Sequence, residues 1–298
     1  MPFHLRGCPA RRLRGDKLMN ENNIINIIRT KYYEFSPAEQ KVANYILENC
    51  EKIQYMSISE LAECAGVADA TVTRFCRSLD IKGFNMFKIK LAASIAERNV
   101  PAPEERADNI LTSEQQSAIE SKAAIDETVA VLDMNDVHAA IELFERAGRV
   151  LCAGSGGSMR MAEECAHLFS IVDPKFVSVA DSHSQAFMAA TMKENDVVFL
   201  VSYSGATVNG LELLELTKKN GVKSILVTRF KKSPLSRLAD VTLCCGSKEG
   251  PYQTGSVAAK MAILTLADVI FREYRKKNAD VADENIKRIA AALSDKHL

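Results

Sequence analysis

Five short runs rich in β-branched and aromatic residues, at 149–153, 176–180, 196–202, 224–228 and 240–244, alternate with stretches of helical apolar spacing. The third run carries Val197, Val198, Phe199, Leu200 and Val201 in succession. A strand that is apolar on both faces needs cover on both faces. Helical patterns at about 133–147, 158–170, 184–193, 207–220 and 255–275 can supply it. Such alternation predicts right-handed crossovers and a doubly wound α/β domain around a five-stranded parallel sheet. The pattern begins near residue 126, whereas from Asn20 to about Glu97 the apolar spacing is helical throughout.

A chain of 298 residues accommodates two domains. The expected division is a basic leader (1–18), a helical domain (19–97), a connector (98–125) that is partly helical in its second half, the α/β domain (126–275) and a C-terminal helix (276–298). Pro101 and Pro103 mark the connector. The leader is expected to be disordered and lacks the apolar core of a secretory signal. It reads as an over-extended start, with Met19 opening the better-behaved sequence. The apolar helix around 261–271 needs cover from either the connector or a second subunit.

Lys plus Arg (38) balances Asp plus Glu (38), so no global charge advertises a nucleic-acid or membrane partner. No apolar run approaches the ~20 residues of a bilayer crossing. The eight Cys include no C-x-x-C pair and mostly sit in apolar segments. Reduced, buried thiols in a cytoplasmic protein are therefore expected, with no disulfide, metal or cofactor.

Within the helical half, Ser36-Pro37-Ala38-Glu39 has the form of a capping box. Further on, Ile58, Leu61 and Ala62 form a short apolar face, and Ala65-Gly66-Val67 supplies a tight turn. Asp69 is placed to cap the next helix, whose Val72, Phe75, Cys76 and Leu79 point inward. Ala70, Thr71, Thr73, Arg74 and Arg77 are then expected to face outward. In a helix-turn-helix, such a second helix enters the major groove. Between Arg74 and Lys90 stand Arg74, Arg77, Lys82, Lys88 and Lys90 against Asp80, which concentrates positive charge where phosphates would lie. Arg pairs with guanine and Thr contacts thymine. The candidate DNA contacts are Ala70, Thr71, Thr73, Arg74, Arg77 and Lys82. A plain helical hairpin with a solvated basic face is the alternative, but it has no need of a glycine turn between two short helices.

Residues 35–91 resemble the N-terminal domain of RpiR-type bacterial transcription regulators. The resemblance rests on Leu61-Ala62, Ala65-Gly66-Val67, Thr71-Val72-x-Arg74-Phe75, Leu79-x-x-Lys82-Gly83-Phe84 and Phe87-Lys88. Asp69 departs from it, since the family often shows an uncharged small polar residue there.

In the α/β half, Gly154-Ser155-Gly156-Gly157-Ser158 follows the first strand, and Ser202-Tyr203-Ser204-Gly205-Ala206-Thr207 follows the third. Each opens a helix at the carboxyl edge of the sheet, where N–H groups, the helix dipole and hydroxyls favour an anion. This is the chemistry of a phosphate monoester site built without Lys or Arg. A dinucleotide fingerprint would need glycine where the chain has Met159, and no Walker lysine is present. The alternative is that Ser and Gly merely make tight turns, a weaker account of two such loops than of one.

Residues 129–272 resemble the SIS (sugar isomerase) domain, a flavodoxin-like phosphosugar-binding fold, through both loops, Asp181-Ser182-His183, Ser233-Pro234-Leu235 and Ala239-Asp240. The resemblance implies that Ser202, Ser204 and Thr207 hold a phosphate, with Gly205 allowing close approach, and that Ser155, Gly156, Gly157 and Ser158 face the sugar. Tyr203, also a candidate for phosphosugar contact, stands where relatives often carry His or Gln, and Asp181 and His183 are further candidates for ligand contact.

A DNA-reading domain joined to a phosphosugar sensor is expected to be a regulator of sugar metabolism. It would act as a homodimer or homotetramer on palindromic operator DNA, without a membrane partner. The rival is a phosphosugar isomerase or lyase. Its candidate acids and bases, Glu163, Glu164, His183 and Glu249, fall in no catalytic motif.

Overall fold

The structure is a computed structural model that describes residues 23–98, 112–247, 249–250 and 255–294. The leader expected at 1–18 lies outside the described residues. The helical half runs α1 (Ile24–Thr30), a 3-10 turn (Tyr32–Glu34), α2 (Pro37–Ile53), α3 (Ile58–Cys64), α4 (Asp69–Ser78) and α5 (Phe84–Arg98). The Ser36–Glu39 capping box forms as its sequence implies, and Ser57 with Glu60 makes a second one at α3. Between α3 and α4 the chain turns through Gly66 at φ +65°, a left-handed conformation that disfavours a side chain. Val72, Phe75 and Cys76 of α4 are fully buried, and the Phe75 ring centroid lies 5.1 Å from Phe35 and 6.0 Å from Phe87.

Two local expectations for α4 are corrected. Asp69 is not the cap: Ala68 holds that position without a side-chain bond, and Asp69 is the first helical residue. Thr71 does not face outward. Four residues before Phe75 it shares the inward stripe, and it is 5% exposed.

The second half runs α6 (Ser113–Val131), α7 (Met134–Arg146), β1 (Val150–Gly154), α8 (Gly157–Ser170), β2 (Phe176–Ser178), α9 (Ser182–Thr191), β3 (Val197–Val201), α10 (Val208–Lys219), β4 (Lys223–Thr228), β5 (Val241–Cys244), α11 (Val257–Lys277) and α12 (Ala279–Leu293). The five strands are those expected, all parallel, in the order β2-β1-β3-β4-β5. Alternate strand residues divide between two cores. Val150, Cys152, Val197, Phe199 and Val201 meet α7, α8 and α11 on one face. Leu151, Ala153, Val198 and Leu200 meet α9 and α10 on the other.

The apolar helix expected to need cover is α11, and α6 lies along it. Ala124 of α6 joins the first core, and the Thr128 hydroxyl bridges the carbonyls of Ala124 and Gly246. On α12, Ala282 is buried and the Asn285 amide donates to the Val172 carbonyl at 2.7 Å. Burial pushes the Cys165 and Cys245 thiols up to about 12, which leaves them protonated and unreactive. No helix among the described residues is long and apolar enough to cross a membrane.

Phe144 is the hub of the first core, with ring centroids 5.5 Å from Phe169, 5.0 Å from Phe176, 5.7 Å from Phe199 and 6.0 Å from Tyr274. Phe144→Ala is expected to cost about 3–5 kcal/mol of unfolding free energy in a denaturant titration. A cost below about 1 kcal/mol, the level of an ordinary surface change, would contradict this core.

Candidate functional site

The strand order sets where a crevice opens in the sheet. From β1 the chain crosses to β2 on one side, while β3 lies on the other, so the crossovers diverge between β1 and β3 and leave a crevice at their carboxyl ends. The register pairs Gly154 with Val201, so the two Ser/Gly loops leave the sheet side by side.

In the second loop the Gly205 N–H donates to the Ser202 carbonyl at 3.0 Å, and the Ala206 N–H points at Ser204 Oγ at 3.4 Å. Ser202 is 2% exposed, and its hydroxyl sits 3.3 Å from that of Thr207. It therefore aligns Thr207 from below, while Ser204 is exposed. Gly205 adopts φ +61°, and a Cβ there would fall 2.3 Å from Ser233 Oγ, so this turn admits only glycine.

Helices α8 and α10 start at this crevice. Their N-cap residues, Gly156 and Thr207, make no side-chain capping bond, whereas Asp181 caps α9 and Ser256 caps α11. Helix ends left without a cap keep unsatisfied N–H groups and a partial positive charge. In α8 two of those N–H groups turn back onto the loop, Ser158 to the Ser155 carbonyl at 3.2 Å and Met159 to the Gly156 carbonyl at 3.1 Å, whereas α10 opens without a side-chain cap beside Ser202, Ser204 and Thr207. That is an arrangement for a multiply hydrogen-bonded anion.

The Tyr203 hydroxyl donates to the Ser247 carbonyl at 2.7 Å, so the ring reaches toward the segment after β5. Burial raises its phenol above the usual range, against the pull of that hydrogen bond. Asp181 serves as the cap of α9, accepting the Ser184 N–H at 3.0 Å, and the bonding to Ser184 lowers its carboxyl pKa. His183 is exposed on the first turn of α9. Glu163 pairs with Arg160 at 2.8 Å, Glu164 is exposed, and Glu249 accepts the Ser256 N–H at 2.7 Å.

The sequence reading missed Gln185. This residue is 4% exposed, and its amide donates to the Gly154 carbonyl at 3.0 Å and the Val179 carbonyl at 2.9 Å. It ties the first loop to the chain after β2. Its signal was an amide one turn before Ala189, on a stripe that should be apolar.

On α4, Ala70, Arg74 and Arg77 form an exposed stripe. Thr73 is half-buried and its hydroxyl bonds the Asp69 carbonyl at 3.2 Å, while Arg74 donates to Thr71 Oγ1 at 3.3 Å. Lys82 is exposed in the turn before α5. Lys88, counted with the basic cluster, turns inward: its Nζ donates to the Met56 carbonyl at 3.3 Å and lies 5.5 Å from the Phe84 ring centre. Burial lowers its pKa, with Glu60 and Glu249 opposing.

Comparison with known proteins agrees with both halves. Residues 22–98 match the family described as helix-turn-helix domain, rpiR family, and residues 143–272 match the SIS domain. An HTH-type transcriptional regulator of Caldanaerobacter subterraneus is 34% identical over 91% of this chain and 97% of its own length. The HTH-type transcriptional regulator HexR of Escherichia coli is 29% identical, with 92% and 95% covered. The structure of Vibrio vulnificus NanR in complex with ManNAc-6P superposes with a TM-score of 0.83 at 25% identity, over 92% of this chain and 99% of that one. The chain belongs to the RpiR family of HTH-type transcriptional regulators, with its helix-turn-helix domain ahead of a SIS domain.

Proposed function

We propose that this regulator senses a phosphosugar in the β1/β3 crevice and converts its occupancy into a change of affinity for operator DNA. The observation that carries the reading is the uncapped start of α10 beside Ser202, Ser204 and Thr207, set next to the Ser/Gly loop after β1 at the switch point. Ser204, Thr207 and the N–H groups opening α10 hold the phosphate, Ser202 steadies Thr207, and Ser155 to Ser158 face the sugar. The ManNAc-6P bound by NanR supports a sugar 6-phosphate as the ligand class. Arg74 and Arg77 read DNA, with Ala70, Thr73 and Lys82 beside them. Thr71 acts by steadying Arg74.

Control follows from linkage. A phosphosugar that favours one arrangement of the DNA-reading heads shifts the population toward it, and one that binds both arrangements equally switches nothing. A homodimer or homotetramer on a palindromic operator matches that scheme.

The protein is read as a sensor rather than an isomerase or lyase. Proton transfer between sugar carbons needs a carboxylate or His within reach of them. Glu163 is occupied by Arg160 and Glu249 by the start of α11.

Three measurements test this reading. A melting-temperature screen with pentose, hexose and amino-sugar phosphates should show stabilisation by at least one. Ser204→Ala with Thr207→Ala should abolish it, each lost hydrogen bond to the charged phosphate costing about 1.5–3 kcal/mol, while DNA binding persists. Stabilisation that survives the double change would refute the phosphate assignment.

Arg74→Ala and Arg77→Ala should each weaken binding to a selected duplex, by about 1–3 kcal/mol where the side chain contacts guanine, and leave phosphosugar binding intact. Unchanged DNA affinity in both folded variants would remove α4 from the interface.

Incubation with the stabilising phosphosugar should return it unchanged. Its isomerisation or cleavage, lost when Glu163, Glu164, His183 or Glu249 is replaced, would place the protein among enzymes.

A further inference from the structure

Residues 231–237, between β4 and β5, join the two halves of the chain through hydrogen bonds and ion pairs to α3 and α4. On its sensor side this segment is anchored to the second Ser/Gly loop. The Leu235 N–H donates to the Gly205 carbonyl at 2.9 Å, and Ser233 stands so close to Gly205 that no Cβ fits between them. Ser233 and Leu235 are both fully buried, so the base of the segment has no slack.

On its outer side the same segment grips the helix-turn-helix. Arg237 forks onto Asp69, with Nη1 3.0 Å from Oδ2 and Nη2 3.2 Å from Oδ1. Lys232 Nζ lies 2.6 and 2.7 Å from the two carboxylate oxygens of Glu63, and the Ser57 hydroxyl donates to the Lys232 carbonyl at 2.8 Å. Asp69 opens α4, Glu63 lies on α3 and Ser57 caps α3. The Asp69 carboxylate also accepts the Ser59 hydroxyl at 2.6 Å, which fixes it toward Arg237. A cleft of about 570 Å3 between the halves is bordered by Glu63, Asp69, Lys232 and Arg237.

We propose that residues 231–237 are a strap that couples the 202–207 loop to the first turn of α4 through a two-point ion clasp, Arg237–Asp69 and Lys232–Glu63. The inference deepens the phosphosugar-sensor reading and rests on it. A displacement of Gly205 moves Leu235 and Ser233, because the carbonyl bond and the close contact leave no alternative position. The clasp carries that movement to the end of the helix that leads into the major groove. The two halves of the clasp differ in strength. Arg237 is 59% exposed, but its bidentate bonding is directional and Asp69 is only 23% exposed, whereas both members of the Lys232–Glu63 pair are more than half exposed, which weakens it. Arg237 and Lys232 are therefore positioning residues, acting on DNA through α3 and α4.

The test needs no identified ligand. Gly205→Ala places a methyl group against Ser233, and Ser233→Thr adds one from the other side without straining Gly205. Each wedge is made in the wild-type chain and in a chain whose clasp is opened by Lys232→Gln with Arg237→Gln. The readout is the Kd for a duplex that the wild-type chain selects from a random library, at fixed salt. Circular dichroism confirms that each variant is folded.

A wedge is expected to change Kd by at least about threefold with the clasp closed and by less than about 1.5-fold with it open, the non-additivity of coupled sites. Reversing the charges, Glu63→Lys with Lys232→Glu, should restore part of the wedge effect that Lys232→Glu alone removes. Equal changes in both backgrounds, or none from either wedge in the closed chain, would overturn the strap. Failure of the wild-type chain to select any duplex would instead overturn the DNA-reading assignment on which the strap rests.

Discussion

The pairing of β1 with β3 is the constraint on which the rest depends. Because Gly154 lies opposite Val201, the two loops that follow them leave the sheet together, at the point where the crossovers diverge. Every other element of the proposed sensor refers to that edge. Gln185 ties the first loop to the chain beyond β2, Ser202 steadies Thr207, and Gly205 gives the second loop its close contact with Ser233. The pairing is itself held by a sheet covered on both faces, with the Phe144 cluster on one side and the Leu213–Leu214 side on the other.

Charge is spent in a consistent way. In the proposed sensor the crevice offers an anion backbone dipoles and hydroxyls, which carry no formal charge to be desolvated. The formal charges at the junction, on Arg237, Asp69, Lys232 and Glu63, are paired across the two halves. On α4 Arg74 and Arg77 stand exposed, while the Lys88 ammonium turns inward to the Met56 carbonyl. The balanced total charge thus conceals three different local uses.

Much of this was legible in the chain. The five apolar runs located all five strands: β1 and β3, buried on both faces, have no polar alternation to blur them, and the partly buried edge strands β2 and β5 still carry short β-branched runs. The loops after the first and third strands were readable because Gly and Ser stand together directly after β-branched runs. Thr71 was misplaced although its signal was present, since a residue four before Phe75 belongs to the Phe75 stripe. Asp69 was misread as a cap because Asp is common there, and only the backbone shows that α4 begins one residue earlier than a cap at Asp69 requires. The Tyr203 ring follows a hydrogen bond to Ser247, 44 positions on, a partner that no local pattern shows. The clasp was not legible at all. Asp69 and Arg237 are 168 positions apart, and no local pattern announces a pair made by the docking of two domains.

The central claim is that phosphosugar and DNA sites are linked through one chain, and reciprocity offers its most direct measurement. The stabilising phosphosugar is titrated by calorimetry into the protein alone and into the protein saturated with its selected duplex. Two different dissociation constants are expected, whose ratio equals the ratio by which the phosphosugar changes DNA affinity. Identical constants in the two titrations, with both ligands bound, would contradict it.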